Sequence, residues 1–229
     1  MNLEGIIKKI SGKKDFQLSH EVPITYIIRK GRTYIFGIIR GSFKSIFIKK
    51  CGKRLVSGRN VKIILPSKLY LGSNVRLDSN VTLDALSEEG INLGDRVKIG
   101  ENSSMLCTGS LHCIGKGISI GNDSSFAENT FFGAAGGIKI GNDVISGQNV
   151  RFHAENHNFS DKNELIRNQG VNRKGIKIGN NVWIGSGVVF LDGSVVGDGC
   201  VIGANSLVNG EFKNNSIIVG TPARIIGSR

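Results

Sequence analysis

The sequence predicts an all-β fold, a parallel β-helix of hexapeptide repeats preceded by a short, basic helical segment. Three observations predict it. In residues 176–226 an apolar residue recurs at every sixth position: Ile178, Ile184, Phe190, Val196, Ile202, Val208. Gly follows four of the six, as Gly179, Gly185, Gly197 and Gly203. A second, small or apolar set sits four residues after the first: Val182, Val188, Ser194, Cys200, Ser206. A strict period of six fits neither a 3.6-residue helix nor two-residue alternation. It fits short flat strands joined by tight turns, with one inward side chain per flat, stacked coil upon coil.

One such coil cannot bury its own face, so several must stack, each inward residue resting on its equivalent one coil away. The turns need positive φ, which Gly takes without steric cost and Asn or Asp take more readily than most residues. Gly121-Asn122-Asp123, Gly141-Asn142-Asp143 and Gly179-Asn180-Asn181 supply these residues in phase.

In chain order, residues 1–20 are a polar, basic lead-in. Within 22–50, Ile35, Ile38, Ile39, Phe43, Ile46 and Phe47 recur at helical spacing, with Arg32, Arg40, Lys44, Lys49 and Lys50 interspersed. Such a helix suits either of two roles: a cap on one end of the coil, or contact with an anionic membrane surface. Gly37 and Gly41 form a GxxxG spacing, which in so charged a segment does not by itself specify helix pairing. The sixfold pattern starts near residue 61, with Leu71, Leu77 and Leu83 in phase. It shifts at ALSEEGIN, resumes with Leu93, Ile99 and Met105, and shifts again at CTGSLHCIGKG. Ile120, Phe126 and Phe132 follow, then GAAGGIK, then Ile140, Ser146 and Phe152. From there to Ile176 the pattern stops. Excursions of this length in a compact repeat usually carry function or lack order. The expected organisation is therefore an N-terminal segment (1–59), a coil (60–210) carrying a loop at 153–177, and a closing segment (211–229) with a turn at Gly220 and Pro222.

The 229 residues carry 30 Lys and Arg against 18 Asp and Glu, a formal charge of +12. This favours an anionic partner. The cations are spread along the chain without a dense run or interleaved aromatics, which argues against nucleic acid. Cys51, Cys107, Cys113 and Cys200 form no CxxC pair and suggest no disulfide framework, consistent with a reducing compartment. Cys200 falls on an inward position and reads as a small buried apolar residue. The N-terminus shows no secretory signal, and no uncharged apolar run reaches membrane-spanning length.

The stretches IGNNVWIGSGVVF, VIGANSLV and VGTPARII resemble the hexapeptide-repeat acyltransferases, and within them the sugar O-acetyltransferases. ENHNFSD resembles the His-containing loop of the enzymes that decorate O-antigen and capsule. The resemblance covers roughly residues 60–226. It implies a left-handed coil, an exception to the right-handed crossover rule. It also implies a homotrimer, acetyl-CoA bound between neighbouring subunits, and a sugar or glycan acceptor. The expected place is the cytoplasm, at the inner face of a membrane where lipid-linked glycans are made.

The implied reaction moves an acetyl group from a thioester to a hydroxyl, which needs a base near neutral pH. By resemblance that base is His157, with His153 the runner-up. The backbone N–H of Ser186 would hold the developing oxyanion. Trp183 would flank the acetyl-CoA groove, the Ala204 amide would bond the pantetheine arm, and Arg224, with Lys213, would meet phosphate. Relatives with Thr-Lys after the VV-type strand differ from this chain, which has Asn209-Gly210 there. Asn129 and Glu155 are candidates for the acceptor side, and Glu155 or Asp161 for orienting the imidazole. No metal is expected. Two other classes remain open: a zinc lyase of the γ-carbonic-anhydrase type on His112, His153 and His157, and a non-catalytic scaffold. Serine and nucleotide-sugar N-acetyltransferases fit the short basic N-terminus less well.

Overall fold

The computed structural model describes Gly5 and residues 17–229. Most of the lead-in expected over residues 1–20 lies outside the described residues. From Lys50 onward the chain winds into a three-faced prism. Face one has 8 strands, from Lys50–Cys51 to Glu211–Phe212, and face three has 7, from Lys62–Ile64 to Leu207–Val208. Face two has 9, and begins at Val56–Ser57. Apart from the last strand of face two, each strand pairs in parallel with its equivalent one coil away, as in the run Ile118, Ile138, Ile176 on face one.

The expected inward columns form the core. Ile178, Ile184, Phe190, Val196, Ile202 and Val208 are all buried, and so is the second set from Val182 to Ser206. The largest rings stack along the axis. Phe152 lies parallel between Phe132 and Phe190, with centroids 4.8 Å from each, and Phe126 meets Phe132 edge-on at 5.1 Å. The expected turn residues do adopt positive φ, but at the third residue of each triplet: Asp123, Asp143 and Asn181. The leading glycine serves close approach instead. A Cβ on Gly141 would stand 2.6 Å from Asn180 Oδ1 of the next coil.

The coil starts earlier than the sequence pattern suggests, at Lys50 rather than near 61. Cys51 and Ser57 stand where later coils have large apolar residues, so the first rung leaves little period-six signal. It also ends later. Ser216–Gly220 still pairs in parallel on face two, and Ala223–Ser228 then folds back antiparallel over it.

The N-terminal helix, Ile24–Ser45, packs on the open edge of the first coil. Its contact residues are small: a Cβ on Gly37 would lie 2.7 Å from Val56 Cγ1, and one on Gly41 would overlap the Leu55 carbonyl. Edge carbonyls that no neighbouring strand satisfies receive helix cations. Arg40 Nε donates to Ser57 O at 2.9 Å and Gly58 O at 3.1 Å, and Lys44 Nζ to Val61 O at 2.8 Å. The helix thus blunts a strand edge that would otherwise template pairing. A cap was one of the two expected roles, but its polarity is reversed. Arg40 and Lys44 turn inward, while Ile35, Ile39, Phe43, Ile46 and Phe47 are exposed.

Candidate active site

The candidate residues fall on two corners of the prism and on the faces beside them. At the corner between faces two and three, consecutive turns stack at Gln148, Ser186 and Ala204. Glycines allow the close stacking: a Cβ on Gly147 would lie 2.6 Å from Ser186 N, and one on Gly185 would lie 2.5 Å from Ala204 N. Carbonyls along the column are engaged, with Gly187 N donating to Gln148 O at 2.8 Å and Asn205 N to Ser186 O at 2.9 Å. The Ser186 and Ala204 amides, both on exposed residues, have no intrachain acceptor among the described residues. Two donors one coil apart therefore point out of a rigid corner.

The C-terminal hairpin sits at the foot of this column. Thr221 Oγ1 donates to Asn205 O at 3.1 Å, and Gly220 N to Ser206 Oγ at 3.1 Å. Arg224 follows, exposed, on the strand that returns along face two, its Nη1 donating to Ala223 O at 2.9 Å. Trp183 projects from the outside of face two, 57% exposed, in register between Ile145 and Val201. A shallow cavity there is also lined by Asp143, Asn181 and Arg229. Asn129 shares the Ser186 corner two coils earlier, at φ 59°, where its backbone N–H donates to Glu101 O. Lys213 does not join this group: it lies in the turn between faces one and two, a different corner.

The long excursion leaves after the fifth coil, from the corner between faces three and one, and it is built rather than loose. Asn156–His157 pairs antiparallel with Val171–Asn172. Gln169 Nε2 donates to the Asp161 and Glu164 carbonyls, both at 2.8 Å. At its root Arg173 Nε donates to Glu155 Oε2 at 2.6 Å, and both side chains are largely buried. Burial is the largest single influence and works against the charged guanidinium, but the hydrogen bonds and charge of Glu155 and Cys113 together outweigh it and leave the Arg173 pKa raised. At the return point the buried Asp192 carboxylate accepts Lys174 N at 2.9 Å and Gly175 N at 2.7 Å.

His157 is exposed on this hairpin, and its imidazole has no hydrogen-bond partner among the described residues. Neither carboxylate expected to orient it does so within the chain. Glu155 is held by Arg173, and Asp161 Oδ1 accepts Asn163 N at 2.8 Å. His153 lies on face three at the root of the excursion, half-buried, its ring 5.5 Å from that of Phe131. Burial, and then the charge of Arg151, hold its pKa below the ordinary value. His112, His153 and His157 do not converge. Among the described residues no group of three or more His, Cys, Asp or Glu is placed to hold a metal ion.

The single chain thus brings Ser186, Ala204 and the C-terminal hairpin together but leaves His157 at another corner, across face three. Sequence reasoning missed Arg173 and Asp192. Asp192-Gly193 reads as an ordinary turn, and nothing local marks Arg173.

Comparison with known proteins fits this geometry. Residues 175–210 match the family described as bacterial transferase hexapeptide (six repeats). The chain is 39% identical over 89 residues to the galactoside O-acetyltransferase of Escherichia coli (strain K12), covering 39% of this chain and 43% of that protein. It is 27% identical over 138 residues to WbbJ of the same organism, named as a lipopolysaccharide biosynthesis O-acetyl transferase, covering 57% and 70%. The chain spans less than half the length of several of the curated relatives it matches. Among solved structures it resembles AntD, an N-acyltransferase from Bacillus cereus in complex with dTDP and 3-hydroxybutyryl-CoA. The TM-score is 0.53 and the identity 21%, over 83% of this chain and 88% of that one. This last likeness speaks for the fold, and the expected all-β, left-handed parallel β-helix is borne out. The resemblance to hexapeptide-repeat acyltransferases of the sugar O-acetyltransferase group is borne out as well.

Proposed function

We propose that this hexapeptide-repeat chain is an acetyl-CoA-dependent O-acetyltransferase acting on a sugar hydroxyl. We place it in cell-surface glycan assembly, in the cytoplasm at the inner face of a membrane. The observation that carries the reading is the column of outward, unpaired amides at Ser186 and Ala204, ending near Arg224. A pantetheine arm presents amide carbonyls along its length and phosphates at one end, and this corner offers donors and a cation in that order. The similarity to galactoside and lipopolysaccharide O-acetyl transferases supports a sugar acceptor.

In this reading the Ser186 N–H faces the acetyl carbonyl oxygen and holds the negative charge that develops there. The loss of one such donor typically costs about 10²–10³ in rate. His157 takes the proton of the sugar hydroxyl as its oxygen bonds to the acetyl carbon. It then returns the proton to the sulfur as the carbon–sulfur bond breaks, so the products are an acetyl ester and a free thiol. Trp183 walls the groove. Because His157 and Ser186 leave different corners, a complete site needs the excursion of one copy beside the column of another. A closed ring of copies, a homotrimer in this reading, supplies that arrangement.

The test is acetyl transfer from acetyl-CoA to a panel of sugars, read by mass of the ester product, with the His157→Ala and His153→Ala variants in parallel. We expect His157→Ala to lose about 10²–10⁴ in kcat while His153→Ala retains most activity. A His157→Ala variant working near the wild-type rate removes the mechanism.

A further inference from the structure

We propose that the N-terminal helix docks the protein, lying flat, on an anionic lipid surface. Two independent features of the capped end point to this. The first is an uncovered apolar stripe. The helix meets the coil through Gly37 and Gly41, its only buried residues. On the outward side Ile24, Ile28, Ile35, Ile39, Phe43 and Ile46 form one face, with Phe43 68% and Ile46 73% exposed. Their spacing of three, four and seven residues keeps them on one side of the helix. The inversion seen in the fold produced this face: close approach to the first coil required glycine, so the bulky side chains were left outside.

The second feature is segregated charge. Residues 22–77 contain 13 of the 30 Lys and Arg residues and none of the 18 Asp and Glu residues, leaving 17 cations against 18 carboxylates elsewhere. The net positive charge therefore belongs to one end of the prism. The cations look dispersed along the chain, yet the first coils stack directly behind the helix and gather Lys49, Lys50, Lys53, Arg54, Arg59 and Lys62 there. Arg40 and Lys44 are used on edge carbonyls. Arg29 and Arg32 remain exposed on the helix, beside the apolar stripe.

An apolar face bordered by cations, with no carboxylate among residues 22–77 to oppose them, complements acyl chains below and anionic headgroups around. Among the described residues no helix is long and apolar enough to cross a membrane, so the geometry is that of a helix lying in the interface. This docking does not depend on the proposed reaction, and its test uses no activity measurement.

The full chain is floated with phosphatidylcholine vesicles, with and without phosphatidylglycerol, at low and high salt. Wild type is expected to float with the anionic vesicles and to be released by salt. Replacing both Ile35→Glu and Phe43→Glu should lower the bound fraction about tenfold or more, since it removes apolar area and adds like charge. Arg29→Gln with Arg32→Gln should lower it several-fold and weaken the salt dependence. All four side chains are exposed, and helix content by circular dichroism verifies that each variant is folded. Absence of flotation, or equal flotation with neutral vesicles, overturns the proposal. So does a result in which the glutamate variant lowers the mass of an assembly in sedimentation while vesicle binding is unchanged, for the stripe would then belong to a second copy.

Discussion

Replacing Asp192 tests whether the excursion is held in place by a buried anchor. Its carboxylate is nearly inaccessible and accepts two backbone donors, Gly175 N at 2.7 Å and Lys174 N at 2.9 Å, where the chain re-enters the coil. Hydrogen bonds to a charged group contribute about 1.5–3 kcal/mol each, and a donor left buried without a partner costs about as much again to desolvate. Asp192→Ala removes both bonds, so we expect a loss of about 3–5 kcal/mol. Asp192→Asn keeps one acceptor oxygen and should lose about half of that. Repeat proteins respond locally, so the loss should concentrate in the fifth and sixth coils and the excursion between them. The assay is amide hydrogen exchange at Lys174, Gly175 and the Asn156–His157 hairpin, alongside urea unfolding. Faster exchange at these amides, with the first three coils unchanged, is the expected pattern. An Asp192→Ala protein whose hairpin exchanges at the wild-type rate, and whose unfolding midpoint does not move, would refute the anchor.

Phe152 stacks between Phe132 and Phe190 with no exposed surface, and Phe152→Ala should cost about 3–5 kcal/mol of stability in denaturant titration; a loss below about 1 kcal/mol would mean that the ring column is not tightly packed. If the site is shared between copies, His157→Ala and Ser186→Pro chains, each inactive alone, should recover activity when unfolded and refolded together, up to about one quarter of sites for random mixing in a closed ring; no recovery would place the whole site within one chain. His153 has its pKa lowered, by burial first and Arg151 second, so between its folded and unfolded values the unfolded chain binds more protons and stability rises with pH. Its contribution should be intact above the ordinary value of 6.5 and lost as pH falls below it, and His153→Gln should flatten that part of the urea-midpoint profile.

Much of the coil is legible in the sequence because its geometry is local and repetitive. One inward side chain per flat imposes a period of six, and the turn's left-handed residue selects Asn, Asp or Gly, as at Asn181, Asp143 and Gly187. The first rung escapes detection because Cys51 and Ser57 stand where the next coil has Leu71 and Leu77, which interrupts the run of large apolar residues. Among the candidate residues, His157, Ser186 and Ala204 stand in motif stretches and are nominated by sequence. Arg173 and Asp192 are not, because each acts on a backbone or side chain 17 or 18 residues away that only the stacking brings close.

The sequence alone determined the rung: its length, its inward residues and its turns, since these follow from conformational preferences over six positions. Tertiary structure alone decided which surface of the helix faces the coil, because hydropathy favours the isoleucine side while the open carbonyls at Ser57, Gly58 and Val61 call for Arg40, Lys44 and a close glycine contact. It likewise decided that His157 and Ser186 emerge at different corners, which depends on how many residues each face and turn consumes around the prism.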